Sequence, residues 1–407
     1  MSRIVLGVAG GIAAYKACEV LRGLTEAGHD VTVVPTPAAL EFVGETTFAA
    51  LSGKPVRTGV FADPEEVNHV RLGREADLVV VVPATADLMA RAATGRADDL
   101  LTSTLLTATA PVLLCPAMHT EMWQHPATVA NVATLRSRGV VVLDPASGRL
   151  TGADTGPGRL PDPEEILAVA RSLVSAPAIA TSAAAADLSG LVVAVSAGGT
   201  REALDPVRYL GNASSGRMGV ALARAAALRG ATVRLVAAHL AVPVPSGVEV
   251  TQVSSTGDLA EAMHIAADGA DAVVMAVAAA DFTPTAPSQG KIKKSGDDGV
   301  TLELVQTTDV LRSLVEARTD AAQTLVGFAA ETPGAGQDLV TMAKAKLRRK
   351  GCDLIVVNDV TAGRVFGQAD NAITLVDPAD VRGPYLGSKE VLAHRIWDRV
   401  RELRAAD

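Results

Sequence analysis

The sequence predicts an α/β protein with two doubly wound parallel-sheet domains. The clearest strands are continuous runs of Val, Ala and Leu without polar alternation, which is typical of strands buried on both faces of a sheet. Helical segments separate these strands, as parallel crossover connections require. The same order of strand, glycine turn, helix and strand also occurs twice, beginning at residues 4 and 191. Repetition of this unit predicts two domains of the same class.

The first repeat opens with a predicted buried strand and glycine turn at 4–11, followed by a helix that stops at Gly28. Its other predicted strands are 31–34, 76–82, 112–115 and 140–143, and its other predicted helices lie near 98–109 and 127–138. Residues 144–163 are rich in Gly, Pro, Asp and Ser and predict a long loop. A loop of this length in a compact domain is usually functional or disordered.

The second repeat opens with a predicted strand and glycine turn at 191–199. Its other predicted strands are 232–236, 270–277, 324–328 and 353–357. Helices are predicted at 256–267 and 388–404, and a further helix is predicted to end at Lys350. Residues 281–299 predict a long loop. Between the repeats, residues 175–186 are small and low in complexity, without an apolar period, and predict a linker. We therefore expect domains at 1–175 and 189–407, joined by a linker at 176–188.

Composition excludes several classes of protein. Aromatic residues are 3% of the 407 residues, and 37 Lys and Arg against 45 Asp and Glu give a net charge of −8. Both values argue against a nucleic-acid partner. The three cysteines, Cys18, Cys115 and Cys352, form no CxxC pair, so we expect neither disulfides nor a zinc site. This cysteine usage fits a protein of the reducing cytoplasm. No uncharged apolar run approaches the roughly 18 residues of a membrane span, so no membrane is expected.

The glycine turns leave two interpretations open. Ligands of open α/β sheets bind at the carboxyl ends of the strands, where both turns lie. The turn at 7–11, however, does not match G-x-G-x-x-G, the dinucleotide-binding pattern. The second predicted strand of each repeat, 31–34 or 232–236, is also not followed by the acidic residue that would bind a ribose. The phosphate-binding Walker pattern also fails, because Ile292 follows Lys291. Each turn alone is explained equally well by a phosphate-like ligand and by tight packing.

Two histidines are candidates for chemistry in the first repeat. His69 precedes the strand at 76–82, and a lone histidine is more often structural or exposed than catalytic. His119 lies in a segment, 116–123, that follows a buried strand and also holds Met118 and Trp123. That position favours a binding role, although Met and Trp could equally fill a core.

The second repeat holds an anion candidate and two basic clusters. Residues 211–219 open a helix with small and hydroxyl side chains, which favours a phosphate or carboxylate over a simple N-cap. The basic clusters are 291–294 and 344–350. Lys346 and Lys350 are four apart, so one helix face could present both to a polyphosphate, although cations also complement a helix carboxyl end. Asp281, just past a strand, could bind sugar hydroxyls or a metal ion.

Together these motifs resemble the bifunctional bacterial coenzyme A biosynthesis proteins, which join a phosphopantothenoylcysteine decarboxylase to a phosphopantothenate–cysteine ligase. The resemblance covers nearly the whole chain. In the first half it rests on 10–16, Asn68-His69, 83–87, the Pro-x-Met-x-x-x-Met-Trp element at 116–123, and 154–159. In the second half it rests on 205–208, 212–216, 280–282, the Lys291 cluster, 327–332 and Asn358-Asp359.

For the first half, the resemblance implies a flavodoxin-like domain that binds FMN. The flavin would oxidise the cysteinyl thiol of the substrate to a thioaldehyde-like species, which loses carbon dioxide readily, and reduced flavin would return the electrons. The implied flavin contacts are Gly11, Thr36, Ala84, Thr85 and Thr102. His69 would lie beside the reacting carboxylate, and residues from Asp154 to Arg159 would form a flap over the substrate.

Two positions depart from the family pattern. His119 stands where the family usually has Asn, and Thr151, Gly152 and Ala153 stand where it has a catalytic cysteine. That cysteine is thought to protonate the enethiolate in the last step. The proton must therefore come from elsewhere, with His119 and water as the candidates.

For the second half, the resemblance implies a Rossmann-like ligase that uses CTP and Mg²⁺. The carboxylate of phosphopantothenate would displace pyrophosphate to give an acyl-cytidylate, which the amine of cysteine then captures. Positive charge is needed where pyrophosphate leaves, and Lys291, Lys346 and Lys350 could provide it. The implied nucleotide contacts are Met275, Ala276, Val277, Asp281, Lys291, Thr308, Asp309, Val310, Leu311, Phe328, Lys346 and Lys350. The implied substrate contacts are Arg208, Asn212, Ser214, Ser215 and Gly216 in this half, with Asp154 and Arg159 in the other.

Of these residues, His69, His119, Lys291 and Asn212 are the expected catalytic ones, and no metal ligand is assigned. The rival hypotheses are a nicotinamide dehydrogenase, a non-enzymatic flavoprotein subunit, and an active ligase fused to an impaired or regulatory flavin domain. The resemblance also implies a homo-oligomer built from flavoprotein trimers and ligase dimers, up to a dodecamer.

Overall fold

The computed structural model describes residues 1–59, 67–150, 154–293, 300–331, 338–359 and 370–406. The chain divides into two compact units, one of Met1–Asp187 with Pro245–Gly247, the other of Leu188–Val244 with Val248–Asp407. Three features of the sequence analysis lie outside the described residues, namely the 151–153 segment, Lys294 and Thr332.

The first unit is built on one parallel sheet of five strands in the order β2-β1-β3-β4-β5. The strands are β1 (Arg3–Val8), β2 (Asp30–Pro35), β3 (Leu78–Ala84), β4 (Val112–Pro116) and β5 (Val141–Val142). This is the flavodoxin-like strand order, so the predicted fold class is confirmed. All seven residues of β3 are buried, which explains its uninterrupted apolar sequence.

Helices cover this sheet. They are α1 (Ala17–Glu26), α2 (Glu45–Ser52), α3 (Asn68–Glu75), α4 (Ala86–Thr94), α5 (Leu100–Thr107), α6 (Thr120–Gln124), α7 (Pro126–Ser137), α8 (Pro163–Ser175) and α9 (Ala178–Ala185), with short 3₁₀ helices at Ile12–Lys16 and Pro37–Glu41. Among the described helices, none alone is both long and apolar enough to cross a membrane; α8 and α9 pass that test only as a pair bent by 118°.

The structure contains elements that the sequence analysis did not predict in two stretches of the first unit. The stretch predicted as a linker contains α9, in which Ile179, Ala180 and Ala183 are buried. Ala has the highest helix propensity and buries without a Leu-type period, so the periodicity test missed this helix.

The predicted loop at 144–163 contains an antiparallel pair, β6 (Ala146–Arg149) and β7 (Thr155–Arg159). Gly148, Gly156 and Gly158 have φ of 150°, 153° and 155°, an extended region that is open mainly to glycine. The glycines that predicted a loop therefore belong to the strands themselves.

The second unit contains an eight-stranded sheet in the order β12-β11-β8-β13-β16-β17-β18-β19. Its strands are β8 (Val192–Gly198), β11 (Thr232–Ala238), β12 (Glu249–Val253), β13 (Ala272–Met275), β16 (Thr324–Glu331), β17 (Leu354–Asp359), β18 (Asp370–Val376) and β19 (Val381–Ser388). The first six are parallel and follow the 3-2-1-4-5-6 order of Rossmann sheets, which confirms the predicted Rossmann-like fold, although β12 was not among the predicted strands. The antiparallel pair β18 and β19 at the edge was not predicted.

Two small antiparallel pairs lie outside the large sheet, β9 (Arg201–Ala203) with β10 (Tyr209–Gly211), and β14 (Phe282–Pro284) with β15 (Leu304–Gln306). The helices are α10 (Arg217–Leu228), α11 (Thr256–Ala267), α12 (Val310–Ala317), α13 (Leu339–Lys350) and α14 (Lys389–Ala406). One apolar cluster packs α10 and α14 against the sheet, and a second packs α11, α12 and α13. Trp397 is fully buried in the first cluster, and its indole Nε1 donates to the carbonyl oxygen of Leu222 at 2.9 Å.

Candidate active sites

A cavity of about 600 Å³ lies at the carboxyl ends of β1, β2, β3 and β4 in the first unit. This is the edge at which doubly wound sheets bind their ligands. Four of the residues predicted for the flavin and its substrate line it, namely Gly11, Thr36, Thr85 and His119.

The two threonines of this cavity begin helices. The Oγ1 of Thr36 accepts a hydrogen bond from the amide of Ala39, and that of Thr85 accepts one from the amide of Leu88, both at 3.3 Å. Thr85 is the N-cap of α4, so the amino end of that nine-residue helix lies at the cavity. Free amides and the helix dipole make such an end suitable for an anionic group.

The glycine turn after β1 combines both interpretations that the sequence left open. A Cβ on Gly10 would lie 2.5 Å from the Cβ of Ala38, so this glycine is required for packing. A Cβ on Gly11 would meet only the Cγ2 of Thr85 at 3.6 Å. Both glycines line the cavity, but only Gly10 is also required for packing.

One arginine partly offsets the negative charge on the acidic rim of this cavity. Arg91 forms ion pairs with Asp87, Asp98 and Asp99 at 3.0, 2.8 and 2.7 Å. The hydrogen bond from Arg91 lowers the pKa of the Asp98 carboxyl below its usual range. These carboxylates therefore present less net negative charge to a bound anion than their number suggests.

Two of the predicted flavin contacts lie behind the cavity wall. Ala84 is fully buried at the end of β3. Thr102 is 3% exposed, and its backbone amide donates to the Oδ1 of Asp99, the N-cap of α5, at 2.7 Å. Neither residue lines the cavity in the described part of the chain.

His69 also lies away from this cavity in the isolated chain. It occupies the first turn of α3, where its carbonyl oxygen accepts a hydrogen bond from the Oγ1 of Thr107 at 2.7 Å. Its Nδ1 is buried and has no hydrogen-bond partner among the described residues. The fully buried Asn68 precedes it and accepts a hydrogen bond from Arg57 at 3.1 Å. One copy of the chain does not bring His69 and His119 into one cavity.

The hairpin strand β7 lies directly on the segment that holds His119. The amide of Met118 donates to the carbonyl oxygen of Gly158 at 3.0 Å. A Cβ on Gly158 would lie 2.2 Å from the carbonyl oxygen of Met118, and one on Gly156 would lie 2.5 Å from the Oγ1 of Thr120. The predicted flap from Asp154 to Arg159 thus packs beside the cavity, although neither of its charged end residues lines it.

A larger cavity of about 830 Å³ lies in the second unit, between the start of α10, the segments after β13 and before α12, and α13. It brings together most of the residues predicted for the ligase: Asn212, Ser214, Ser215, Gly216, Met275, Ala276, Val277, Asp281, Thr308, Asp309, Val310, Leu311, Phe328, Lys346 and Lys350. Segments far apart in sequence meet here, as expected for the carboxyl edge of a parallel sheet.

A buried polar network fixes the segment after β13. The amide of Ala280 donates to the Oγ1 of Thr200 at 2.9 Å, and Thr200 in turn contacts the Oγ1 of Thr256 at 3.0 Å. Thr256 donates to the buried carboxylate of Glu202 at 2.8 Å. Asn212 donates from Nδ2 to the carbonyl oxygen of Ala279 at 2.9 Å, which joins the start of α10 to this segment. Hydrogen-bonded networks of this kind help to hold a site rigid.

Asp309 and Lys350 form an ion pair on the cavity wall. Burial opposes ionisation of Asp309, but the hydrogen bond from Lys350 lowers the pKa of this carboxyl. Asp309 is also the N-cap of α12 and accepts a hydrogen bond from the amide of Arg312 at 3.2 Å. Asp309 therefore already neutralises part of the positive charge of Lys350.

Arg208 and Lys291 do not line the described cavity, but one carboxylate connects their segments. The side chain of Asp205 is fully buried and accepts hydrogen bonds from the amides of Arg208 and Ile292 at 2.7 and 3.1 Å. Burial opposes its ionisation, yet hydrogen bonds from the amides of Val207, Ile292 and Arg208 lower the pKa of Asp205 to about 2. The segment that carries Lys291 is thus anchored beside Arg208.

Other residues also line the ligase cavity, among them Asn358, Asn371 and Lys389. Asn358 was part of a family motif without a role, while Asn371 and Lys389 were missed. The sequence held a signal for Asn358, because this residue interrupts the apolar strand β17. Lys389, the first residue of α14, carried no such signal.

Among the described residues, no cluster of three or more His, Cys, Asp or Glu has metal-binding geometry. Asp281 and Asp309 are the carboxylates of the described residues that line the ligase cavity. Mg²⁺ in nucleotide sites is commonly held by one or two carboxylates together with substrate phosphates, so the residues present fit such an ion.

A flavoprotein family model matches residues 1–175, and a model of the DNA/pantothenate metabolism flavoprotein C-terminal domain matches residues 188–403. The fold and its two cavities thus define a two-domain protein whose first domain is a flavoprotein.

The chain is 56% identical over 405 residues to the coenzyme A biosynthesis bifunctional protein CoaBC of Mycolicibacterium smegmatis, covering 98% of this chain and 97% of that one. It is 42% identical to the protein of the same name from Vibrio parahaemolyticus, covering 98% of both chains. A crystal structure of the C-terminal domain of a CoaBC is 32% identical and covers 54% of this chain and 99% of its own, with a TM-score of 0.45.

The chain belongs to the CoaBC family of bifunctional coenzyme A biosynthesis proteins. The predicted pairing of a flavoprotein decarboxylase with a ligase is confirmed, and the fusion of a ligase to an impaired flavin domain is not favoured.

Proposed function

We propose that the chain converts 4′-phosphopantothenate and cysteine into 4′-phosphopantetheine in two reactions. The second unit ligates the two substrates with CTP, and the first unit decarboxylates the product with FMN. The observation that carries this proposal is the ligase cavity, because fifteen of the residues predicted from the resemblance line it together. Three separate, unpaired cysteine thiols agree with action in a reducing cytoplasm.

In the first unit, Gly11, Thr36 and Thr85 would hold FMN, with the amino end of α4 available to its phosphate. The cavity volume of about 600 Å³ lies within the usual range for cofactor sites. When bound, FMN supplies the acceptor that oxidises the cysteinyl thiol and the donor that returns the electrons. Ala84 and Thr102 would support the cavity wall from behind.

His119 is our proposed proton donor for the enethiolate in the last step. It lines the cavity, whereas none of the three cysteines does. The carboxylates of the same rim, Asp87, Asp98 and Asp99, are engaged by Arg91. Of the described cavity residues, His119 is therefore the titratable side chain that remains for this step.

His69 would act beside the reacting carboxylate in a cavity that a second copy of the chain completes. Ile12 lines the cavity and is 76% exposed, and Tyr15 in the same short helix is 56% exposed. Exposed apolar residues at a cavity rim favour a protein partner. We propose a homo-oligomer on this basis. The family resemblance adds the proposal that flavoprotein trimers and ligase dimers combine into a dodecamer.

In the second unit, the carboxylate of phosphopantothenate attacks the α-phosphorus of CTP, pyrophosphate leaves, and the amine of cysteine then displaces CMP from the acyl-cytidylate. Asn212 and Arg208 would hold phosphopantothenate, with Ser214, Ser215 and Gly216 at the start of α10. Residues 275–277 and 308–311, with Phe328, would surround the cytidine.

Pyrophosphate departure needs cationic groups, since negative charge develops there. Lys346 and Lys350 line the cavity, and Lys291 lies on the segment anchored by Asp205. Asp281 and Asp309 would hold Mg²⁺, which neutralises phosphate oxygens.

A coupled assay of the whole chain tests this function. We expect purified protein to show flavin absorbance, and to form 4′-phosphopantetheine, detected by mass, with CTP in preference to ATP. Pyrophosphate release should require phosphopantothenate and Mg²⁺. Colourless protein that releases no pyrophosphate with CTP would contradict the proposal.

A further inference from the structure

Three buried polar side chains lie just outside the ligase cavity, and the reaction described above gives them no role. Thr200, Glu202 and Thr256 are 1%, 5% and 1% exposed. None of the three is among the described residues that line the cavity. They nevertheless connect the cavity wall to the amino end of α11, because the amide of Ala280 donates to the Oγ1 of Thr200 at 2.9 Å.

The direction of each hydrogen bond in this connection follows from its donors and acceptors. A carboxylate only accepts, so the hydroxyl of Thr256 gives its one hydrogen to the Oε1 of Glu202, at 2.8 Å. Thr256 must then accept at its 3.0 Å contact with Thr200, which makes the hydroxyl of Thr200 the donor there. The bonds therefore run one way, from Ala280 through Thr200 and Thr256 to Glu202. We call this series the Thr200 relay.

The helix α11 stabilises the charged end of the relay. The Oε1 of Glu202 also accepts a hydrogen bond at 2.8 Å from the backbone amide of Thr256, the first residue of this 12-residue helix. A carboxylate is favourably placed at the amino end of a helix dipole. Hydrogen bonds to a charged acceptor are stronger than neutral ones, and bonds in series polarise one another. The relay is thus anchored by a charge that lies outside the cavity.

At its other end, the relay holds a segment that carries cavity residues. The carbonyl oxygen of Ala280 accepts a hydrogen bond from the Oγ1 of Thr307 at 2.6 Å, and that of Asp281 accepts one from the amide of Thr307 at 3.0 Å. The carbonyl oxygen of Ala279 accepts one from Asn212 at 2.9 Å. Asn212 and Asp281 both line the cavity, so the place of each depends on the backbone of residues 279–281.

We propose that Thr200, Thr256 and Glu202 are positioning residues of the ligase reaction, which align Asn212 and Asp281 through the backbone of residues 279–281. The inference rests on the proposed ligase function, in which Asn212 holds phosphopantothenate and Asp281 holds Mg²⁺. A shift of about 1 Å at a reacting centre can lower a rate by about 100-fold, even when the changed residue touches no substrate.

The test compares Thr200→Val with Thr200→Ser in the full-length chain. Val has the shape of Thr without its hydroxyl, whereas Ser keeps the hydroxyl. We expect Thr200→Val to lower kcat/KM for CTP-dependent pyrophosphate release roughly tenfold or more and to raise the KM for phosphopantothenate, since the buried amide of Ala280 loses its acceptor. Thr200→Ser should stay close to the parent values.

Thr324→Val is the matched control. It makes the same change in a buried threonine, 4% exposed, that begins β16 and is not among the described residues lining the cavity. Its ligase constants should match those of the parent chain. Carbon dioxide release from phosphopantothenoylcysteine reports on the first unit and should be the same in every variant.

Two further measurements separate a relay from a general packing role. The double variant of Thr200→Val and Thr256→Val should lose no more activity than the more impaired single variant, because either change breaks the same series of bonds. Amide hydrogen exchange in the peptide that contains Ala280, followed by mass, should be faster in Thr200→Val and unchanged in Thr200→Ser.

Equal ligase constants in Thr200→Val and Thr200→Ser would overturn the proposal, whether both match the parent or both are impaired. If Thr200→Val is unfolded by circular dichroism, the pair Thr256→Val and Thr256→Ser decides by the same comparison. A parent chain without CTP-dependent pyrophosphate release would contradict the ligase function instead. Hydrogen exchange at Ala280 would then still test the relay, and equal exchange in Thr200→Val and the parent would refute it.

Discussion

Burial keeps the cysteine thiols of this chain protonated at neutral pH. It raises the pKa of Cys115 well above the usual value and that of Cys352 to about 11, and it also raises the pKa of Cys18. Thiols react as thiolates, so these three should react slowly with alkylating agents. None of them lines the described flavin cavity.

Decarboxylation should therefore resist iodoacetamide at pH 7. We expect carbon dioxide release from phosphopantothenoylcysteine to stay at the untreated rate while peptide mass mapping shows little alkylation. A Cys18→Ser variant controls for the partly exposed thiol. Loss of activity in proportion to one alkylated cysteine would show that a thiol does take part.

His119 is the residue on which completion of the decarboxylase reaction depends in our proposal. His119→Ala should lower formation of 4′-phosphopantetheine by about 100-fold, the lower end of the usual contribution of a general acid. Carbon dioxide release in a single turnover should persist, since it precedes the protonation. Pyrophosphate release by the second unit should not change.

The matched control for this variant is His125→Ala. His125 is exposed, caps α7 by accepting a hydrogen bond from the amide of Ala127 at 3.1 Å, and does not line the cavity. Equal turnover of the His119→Ala and parent proteins would leave water as the proton source.

Asp205 is expected to contribute stability that depends on pH. Because its pKa is about 2 in the folded chain and near 3.9 when unfolded, it stabilises the fold fully above about pH 5. That stabilisation is lost as the pH falls from about 4 through 2, where the folded carboxylate becomes protonated. Asp205→Asn should therefore lower Tm by a constant amount at pH 5 to 7 and by less near pH 3.

Thermal unfolding of the two proteins across this pH range measures the difference. The ligase KM for phosphopantothenate should also rise in Asp205→Asn, because Arg208 and the Lys291 segment lose their common anchor. A Tm difference that stays constant down to pH 3 would contradict this assignment.

At the scale of elements, predictability followed the form of the hydrophobic pattern. The strand β3 was predicted because all seven of its residues are buried and apolar. The helix α9 was not, since Ala-rich helices bury small side chains without a period. The strand β19 has no fully buried residue, and it contains Gly383 and Pro384, which disguise a strand at the edge of a sheet.

The candidate sites were predictable to different degrees for a related physical reason. Residues that directly follow parallel strands, such as Thr36 or Asp281, meet at the carboxyl edge of the sheet. Their place in a ligand site could therefore be predicted from the order of the strands. Lys389 enters the ligase cavity only because α14 packs beside α10. Packing between elements far apart in sequence carries no local signature.

The glycine turn after β8 gives a prediction about a single element. Gly198 has φ of 95°, and a Cβ there would lie 1.7 Å from the carbonyl oxygen of Ala238 in the neighbouring strand. The backbone strain alone is worth about 1–3 kcal/mol. Gly198→Ala should therefore displace the residues that follow β8 and abolish CTP-dependent pyrophosphate release.

Gly257→Ala is the matched control, because Gly257 lies in α11 and a Cβ there would meet only the Oγ of Ser255 at 3.7 Å. This variant should keep ligase activity, since Ala favours a helix over Gly. Both variants should retain carbon dioxide release and flavin absorbance. Full ligase activity in Gly198→Ala would show that the turn tolerates a side chain.

At the scale of the whole molecule, each compact unit has its own sheet and its own cavity. The described lining of the flavin cavity comes from residues 9–122, and that of the ligase cavity from residues 212–389. Each unit thus supplies the described walls of its own site. Phosphopantothenoylcysteine, the product of one reaction and the substrate of the other, must therefore pass from one cavity to the other.

If phosphopantothenoylcysteine passes through solution, two variants that each lack a different reaction should together form the product. His119→Ala should retain the ligase reaction, and Gly198→Ala should retain decarboxylation, so each alone should form little 4′-phosphopantetheine from phosphopantothenate, cysteine and CTP. Mixed, they should form it after a lag in which free phosphopantothenoylcysteine accumulates, and both the lag and the free intermediate can be followed by mass. Added unlabelled phosphopantothenoylcysteine should dilute product made from labelled cysteine. If mixing restores no product although each protein keeps its remaining activity, the intermediate is transferred without release to solvent.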